Sequence, residues 1–229
     1  MPNDVVGFAK GNFMNVGSGL AIYAAVCKEL GHELPFPGAE VFYTMYDTFT
    51  DAKLHAEFCA WAVLHPDAGN EAFNVVNGDV ESWQNLWPKI AKYFNLTIPA
   101  DQFSRAAPLA VKTDLQVQPP ISIQAKSIGL EGRTPQSSVS QRINLVQWSQ
   151  TSEVKKAWKR IADREGLSHD TLAKATWGFV DFVLGRDYNV VQSMSKARQM
   201  GWNGYLDTWQ SFKSLFEVLE KEGVIPKTH

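Results

Sequence analysis

Ala72-Phe73-Asn74-Val75-Val76-Asn77-Gly78, followed by the segment Ser82–Phe94, decides the architecture. The first seven residues form a short apolar, β-branched run that closes on Asn-Gly, the pattern of a strand ending in a turn. In the second segment Trp83, Leu86, Trp87, Ile90 and Phe94 recur at helical spacing and form one apolar stripe. A strand and then an amphipathic helix is the repeating unit of an α/β fold.

The same unit is read twice upstream. Asp4-Val5-Val6-Gly7-Phe8 precedes a helix over Asn15–Leu30, with Leu20, Tyr23, Ala24 and Cys27 in register and Gly31 as its stop. Leu34-Pro35-Phe36-Pro37-Gly38 turns sharply, because proline fixes φ. Val41–Asp47 then reads as a strand before a helix over Ala52–Leu64, capped by Thr50 or Asp51. Downstream the pattern fades. Residues 97–151 are rich in Pro, Ser, Thr and Gln, with strand hints only at Leu115–Val117 and Ile121–Ile123. Helical spacing returns over Ser152–Arg164, His169–Leu184, Gln192–Met200 and Asp207–Glu222. The expectation is an α/β N-terminal part (1–96), a variable insert or lid (97–151) and a predominantly helical C-terminal cap (152–229).

Composition narrows the function classes. The 229 residues carry a net charge of −2, so no basic field exists to hold nucleic acid or an anionic membrane. No apolar run reaches 18 residues, which argues against a transmembrane helix. Cys27 and Cys59 form no CxxC pattern, so neither a disulfide framework nor a zinc site is indicated. With no signal-peptide pattern at Met1–Phe13, a reducing, cytoplasmic setting is the default expectation. Eight Trp and thirteen Phe supply a large core and material for an apolar ligand pocket.

A series of segments in fixed order resembles one family. These are Pro2-Asn3-Asp4-Val5-Val6-Gly7-Phe8 with Asn12-Phe13-Met14-Asn15, then Leu34-Pro35-Phe36-Pro37-Gly38, Thr50–Glu57, Asn70–Asp79 and Ser82–Pro88. Thr176-Trp177-Gly178-Phe179-Val180-Asp181 and Ser193–Arg198 through Pro226 complete the series. Together they are similar to the part after the catalytic region of atypical extended short-chain dehydrogenases, the progesterone 5β-reductase and iridoid synthase-like enzymes with their fungal relatives. The likeness covers about residues 1–95 and 152–226. It implies a truncated architecture of that type, without a complete Rossmann fold.

The resemblance also implies NADPH-dependent reduction of an activated alkene. That chemistry needs a phosphate-cradling glycine turn and an acid near the substrate carbonyl. The closest glycine pattern, Gly17-Ser18-Gly19, has Ile22 in the third glycine's place and falls inside the first apolar helix. No tyrosine is followed four residues on by lysine; the six meet Cys27, Asp47, Thr50, Thr97, Gln192 and Trp209. Where the family has Arg-Pro this chain reads Met1-Pro2, so its start is expected just beyond the nucleotide domain, and no cofactor is expected.

Two kinds of residue are candidates for a site. By the resemblance, Phe8, Asn12, Phe13, Met14, Thr48, Trp177 and Phe179 line a substrate pocket. Asn15 there donates to a carbonyl or, alternatively, caps the first helix. Gly178 replaces a bulky aromatic and enlarges the cavity. By spacing, Asp51 and His55 lie one helical turn apart and can pair as a general base, or simply as a structural pair. Two readings follow from the missing redox residues: a cofactor-free cyclase or isomerase, including pericyclic closure, for an apolar terpenoid or polyketide-like intermediate, or a fragment of an NADPH-dependent enone reductase. A third is a non-catalytic module, with a homodimer formed through the surface vacated by the nucleotide domain.

Overall fold

Strand β1 (Val5–Val6) leads into helix α1 (Val16–Leu30), around which the rest of the chain is packed. The computed structural model describes residues 2–9, 14–107, 110–117, 121–134 and 136–228. From Leu20 to Cys27 every residue of α1 is buried, so the helix is a central one and not a surface one with a single wet face. Gly17 and Gly19 make close approach possible. A Cβ on Gly17 would lie 2.3 Å from Leu215 Cδ2, and one on Gly19 2.5 Å from Val180 Cγ2. Gly31 closes the helix in the left-handed region at φ 68°, returning its N–H to the Lys28 and Cys27 carbonyls.

The next elements are α2 (Glu40–Thr44), β2 (Tyr46–Asp47), β3 (Thr50–Asp51) and α3 (Ala52–Leu64), with a 3-10 turn at Pro66–Ala68. They are followed by β4 (Glu81–Ser82) and α4 (Trp83–Tyr93). The strand expected over Val41–Asp47 is mostly helix. Phe42 is fully buried while its neighbour Val41 is 45 % exposed, and short apolar runs do not by themselves separate helix from strand. The run Ala72–Gly78 likewise contributes a single parallel bridge, Val75 to Pro2. Backbone bonds tie Asn77 to Phe49 and Leu206, and side chains do the rest. Asn77 Oδ1 accepts from the Asp51 N–H at 2.6 Å, and its Nδ2 donates to the Thr208 and Ser211 hydroxyls at 3.0 and 3.3 Å. Asp79 accepts from the N–H and hydroxyl of Thr208.

The segment 97–151 has structure of its own. Strand β5 (Val111–Asp114) pairs antiparallel with β6 (Ser138–Gln141), α5 (Ile121–Gln124) is one turn, and α6 (Leu145–Gln150) follows. Neither strand hint is a strand: Leu115–Val117 lies just past β5, and Ile121–Ile123 belongs to α5 with Ile123 87 % exposed. The Ile-Ser-Ile alternation mimics a strand, but both isoleucines stand exposed on a single helical turn.

Helices α7 (Ser152–Glu165), α8 (Thr171–Lys174), α9 (Trp177–Leu184), α10 (Ser195–Gln199) and α11 (Thr208–Lys221) complete the chain. The helix expected over His169–Leu184 is broken at Ala175, whose ψ of 145° is extended. Trp177 Nε1 donates back to the Leu172 carbonyl across the break. The chain is thus mixed α/β. Among the described residues its strands form three two-stranded pairs: β1 with β3 in parallel, β2 with β4 and β5 with β6 antiparallel.

Helix α1 contacts α7, α9 and α11, and the core beside them is aromatic. Phe36, Phe49, Trp83, Trp87 and Phe212 meet mostly edge to face at 5.2–6.2 Å, the geometry their quadrupoles favour. Trp87 keeps its N–H satisfied on the Leu34 carbonyl at 3.0 Å. A satellite cluster of Leu54, Phe58, Val75, Met194 and Trp202 holds α3 and α10 to the 72–78 run.

Candidate functional site

Asn15 stands where three elements meet. Its Oδ1 accepts from the Ser18 N–H at 3.0 Å and caps α1, its Nδ2 donates to the Gly7 carbonyl at 3.3 Å, and its own carbonyl accepts from the Thr176 hydroxyl at 3.4 Å. Of the two roles the sequence leaves open, the cap is the one its amide fills. The Thr176 bond brings the Met14–Asn15 corner against the start of α9.

On α9, Gly178 and Phe182 are one turn apart and share an outward face. A Cβ on Gly178 would meet only Val146 Cγ2, at 3.9 Å, so there is room above it. Met14, Val146 and Phe182 are 52, 44 and 38 % exposed. Trp177 points the other way: it is buried in the main core, edge-on to Trp148 at 5.5 Å. Phe179 and Phe8 are half-buried against the same core. Thr48 is buried, with its hydroxyl donating to the Val190 carbonyl at 3.0 Å, so it faces a joint of the fold and not open space. Asn12 and Phe13 lie outside the described residues.

The expected Asp51–His55 pair does not form. Asp51 caps α3, its Oδ1 accepting from the Lys53 and Leu54 N–H groups at 2.9 and 3.1 Å. His55 Nε2 instead faces the Cys59 thiol at 3.8 Å, on the exposed side of α3. The cap wins because the first N–H groups of a helix have no internal acceptor. Among the described residues no group of three His, Cys, Asp or Glu side chains could hold a metal ion.

The glycines that come nearest a dinucleotide pattern do not fit a phosphate. Gly17 and Gly19 lie inside α1, with the space a Cβ would take already occupied by Leu215 and Val180. A pyrophosphate needs free N–H groups at a strand-to-helix turn, not a packed helix interior. The glycines of α1 therefore offer no seat for the pyrophosphate of a nicotinamide cofactor.

Three acidic groups that no sequence pattern marks are buried nearby. Asp181 on α9 accepts from the Leu145 and Val146 N–H groups at 2.9 and 3.2 Å and caps α6. Burial pushes its carboxyl up to about 6, against the pull of those two N–H groups. Asp4 receives two bonds from the Arg186 guanidinium, one at 2.9 Å, and Asp47 lies 3.8 Å from the same group. Burial, then the neighbouring Asp4 charge, raises Asp47 well above the usual carboxylate range, against the pull of Arg186. One guanidinium thus serves two carboxyl groups, of which Asp47 is held toward its neutral form. Their only sequence signal was polarity inside otherwise apolar runs.

A cavity of about 610 Å³ lies elsewhere, between α1 and the residues around Phe36, Gln102 and Trp148. None of the residues selected from the sequence lines it.

The chain belongs to the PRISE-like Rossmann-fold domain family, whose profile matches residues 1–124. It is 42 % identical over 227 residues to an uncharacterized protein of Schizosaccharomyces pombe, covering 99 % of this chain and 56 % of that protein. It is 30 % identical over 216 residues to the short chain dehydrogenase gsfE of Penicillium aethiopicum (93 and 50 % covered). Over 227 residues it is 28 % identical to an (S)-8-oxocitronellyl enol synthase of Camptotheca acuminata (98 and 48 % covered). The chain spans about half the length of the curated relatives it matches. No helix among the described residues is long and apolar enough to cross a membrane.

Proposed function

We propose that this chain supplies the substrate-shaping surface of an enzyme that cyclises or isomerises an apolar, terpenoid or polyketide-like intermediate without hydride transfer by its own residues. The observation that carries the reading is the open apolar face of Met14, Val146, Gly178 and Phe182, joined to Asn15 through Thr176. Such a face folds a flexible guest by burying it, and holding reacting carbons close together lowers a barrier by proximity alone. Cyclisation, isomerisation and pericyclic closure need no electron donor. In this reading 1–96 is a residual α/β segment, 97–151 a lid and 152–229 the pocket cap. The enol synthase and dehydrogenase named among the relatives support a substrate of carbonyl type.

A second reading, reduction of an enone with NADPH, is favoured by the dehydrogenase relative of about twice the length. Mass balance separates the two. The purified chain is incubated with a panel of terpenoid dienals and polyene enones, with and without NADPH, and the products are weighed by mass spectrometry. A product isomeric with its substrate, formed equally without NADPH and suppressed by Gly178→Trp, is expected. Products heavier by two hydrogens and dependent on NADPH overturn the proposal and assign reduction.

A further inference from the structure

The cavity beneath α1 is a built site of different character from the Gly178 face. Its floor is apolar: Tyr23, Phe36, Ile143 and Trp148 line it, with Tyr23 edge-on to Trp148 at 4.9 Å. At about 610 Å³ it falls within the range of small-molecule sites, roughly 300–1,000 Å³. Two guanidinium groups stand at its rim. Arg105 is already neutralised, by Asp101 at 2.5 Å and Glu33 at 3.2 Å. Arg142 is different. The one hydrogen bond of its side chain among the described residues runs from Nη2 to the Arg105 carbonyl at 2.8 Å, and its guanidinium lies 5.7 Å from the Phe103 ring centre. No carboxylate comes within ion-pair distance of it among the described residues. The remaining rim acid, Glu153, sits in the first turn of α7, where it complements that helix's own positive end.

Burial pushes the Cys27 thiol on the wall up to about 12, which keeps it in the protonated, poorly nucleophilic form. We propose that this cleft is a second ligand site, separate from the Gly178 face, which takes an amphipathic monoanion. The apolar body lies against Trp148 and Phe36, and the carboxylate or sulfonate head is held by Arg142. Arginine's fork of donors suits such a head, and the bonds are charge-assisted.

The test uses 1-anilinonaphthalene-8-sulfonate as a fluorescent probe on the whole chain, with dodecanoate and dodecanol as competitors. Near-UV circular dichroism checks that packing is native. Saturable one-site binding is expected, displaced by dodecanoate at least tenfold more effectively than by dodecanol. Arg142→Gln weakens the probe about tenfold, the scale of a lost charged hydrogen bond, Arg142→Lys restores part of it, and Gly178→Trp leaves it unchanged. Equal displacement by acid and alcohol, undiminished binding to Arg142→Gln, or no saturable binding overturns the proposal. The acid-to-alcohol comparison on the unaltered chain decides the matter even if Arg142→Gln fails to fold.

Discussion

Replacing Arg186 with methionine tests the energetics of the buried charge cluster. The guanidinium is 7 % exposed and Asp4 4 % exposed, so neither has water in reserve. Methionine keeps much of the stem, and with it the packing between Phe42 and Phe182, whose rings lie 5.9 and 5.2 Å from the guanidinium carbon. What it removes is the only cation beside Asp4 and Asp47 among the described residues. An orphaned buried carboxylate costs about 3–5 kcal/mol, against a total stability of about 5–15 kcal/mol for a domain. Arg186→Met is therefore expected to unfold at much lower urea, with a loss of about 3 kcal/mol or more by tryptophan fluorescence. Adding Asp4→Asn should return about 2 kcal/mol, because it removes the stranded charge while keeping an amide that tolerates the positive φ of 32° at that position. A loss below about 1 kcal/mol, or a double variant no more stable than the single one, refutes the reasoning.

Two further outcomes follow from the carboxylates. Asp181 titrates near 6 in the folded chain against an ordinary value of 3.8, so the folded state holds the proton more tightly. Its contribution to stability is full below about pH 4 and is lost as pH rises through 6, on the order of 3 kcal/mol at 1.36 kcal/mol per pH unit. Asp181→Asn should flatten that slope in urea titrations between pH 4 and 7, and an unchanged slope counts against it. Asp51→Ala should cost about 1 kcal/mol of thermal stability, the worth of an N-cap, and leave any turnover unaltered; a hundredfold loss of rate in a folded variant would restore it as a base.

Helix identity was readable wherever apolar spacing was regular and long. Ala52–Leu64 is the helix its pattern predicts, α1 differs from expectation by one residue at its start, and α4 by one residue at each end. What escaped the sequence was anything decided by one distant partner. Val41–Thr44 is helical, with Phe42 and Tyr43 turned to the core and Val41 outward, and the 72–78 run is fastened by Asn77 and Asp79 to Thr208, some 130 residues away. The candidate site shows the same division. Asn15 could be placed at a helix start from sequence, but its bond to Thr176 could not. The pairing of Asp51 with His55 failed because the same oxygen had a nearer claim in the backbone. The cavity beneath α1 draws on residues from 23 to 154, and no local pattern announces such a gathering.

The fastening at Asn77 bears on how the protein ages. Asn-Gly pairs are chemically fragile, because the following N–H can attack the side-chain amide and release ammonia. Here that amide is gripped from three sides inside the fold, and Gly78 is turned to φ 103°. The folded molecule thus shields the bond at Asn77, so that excursions to the unfolded state start its clock, whereas the second Asn-Gly pair, Asn203-Gly204, keeps its asparagine exposed in the native state.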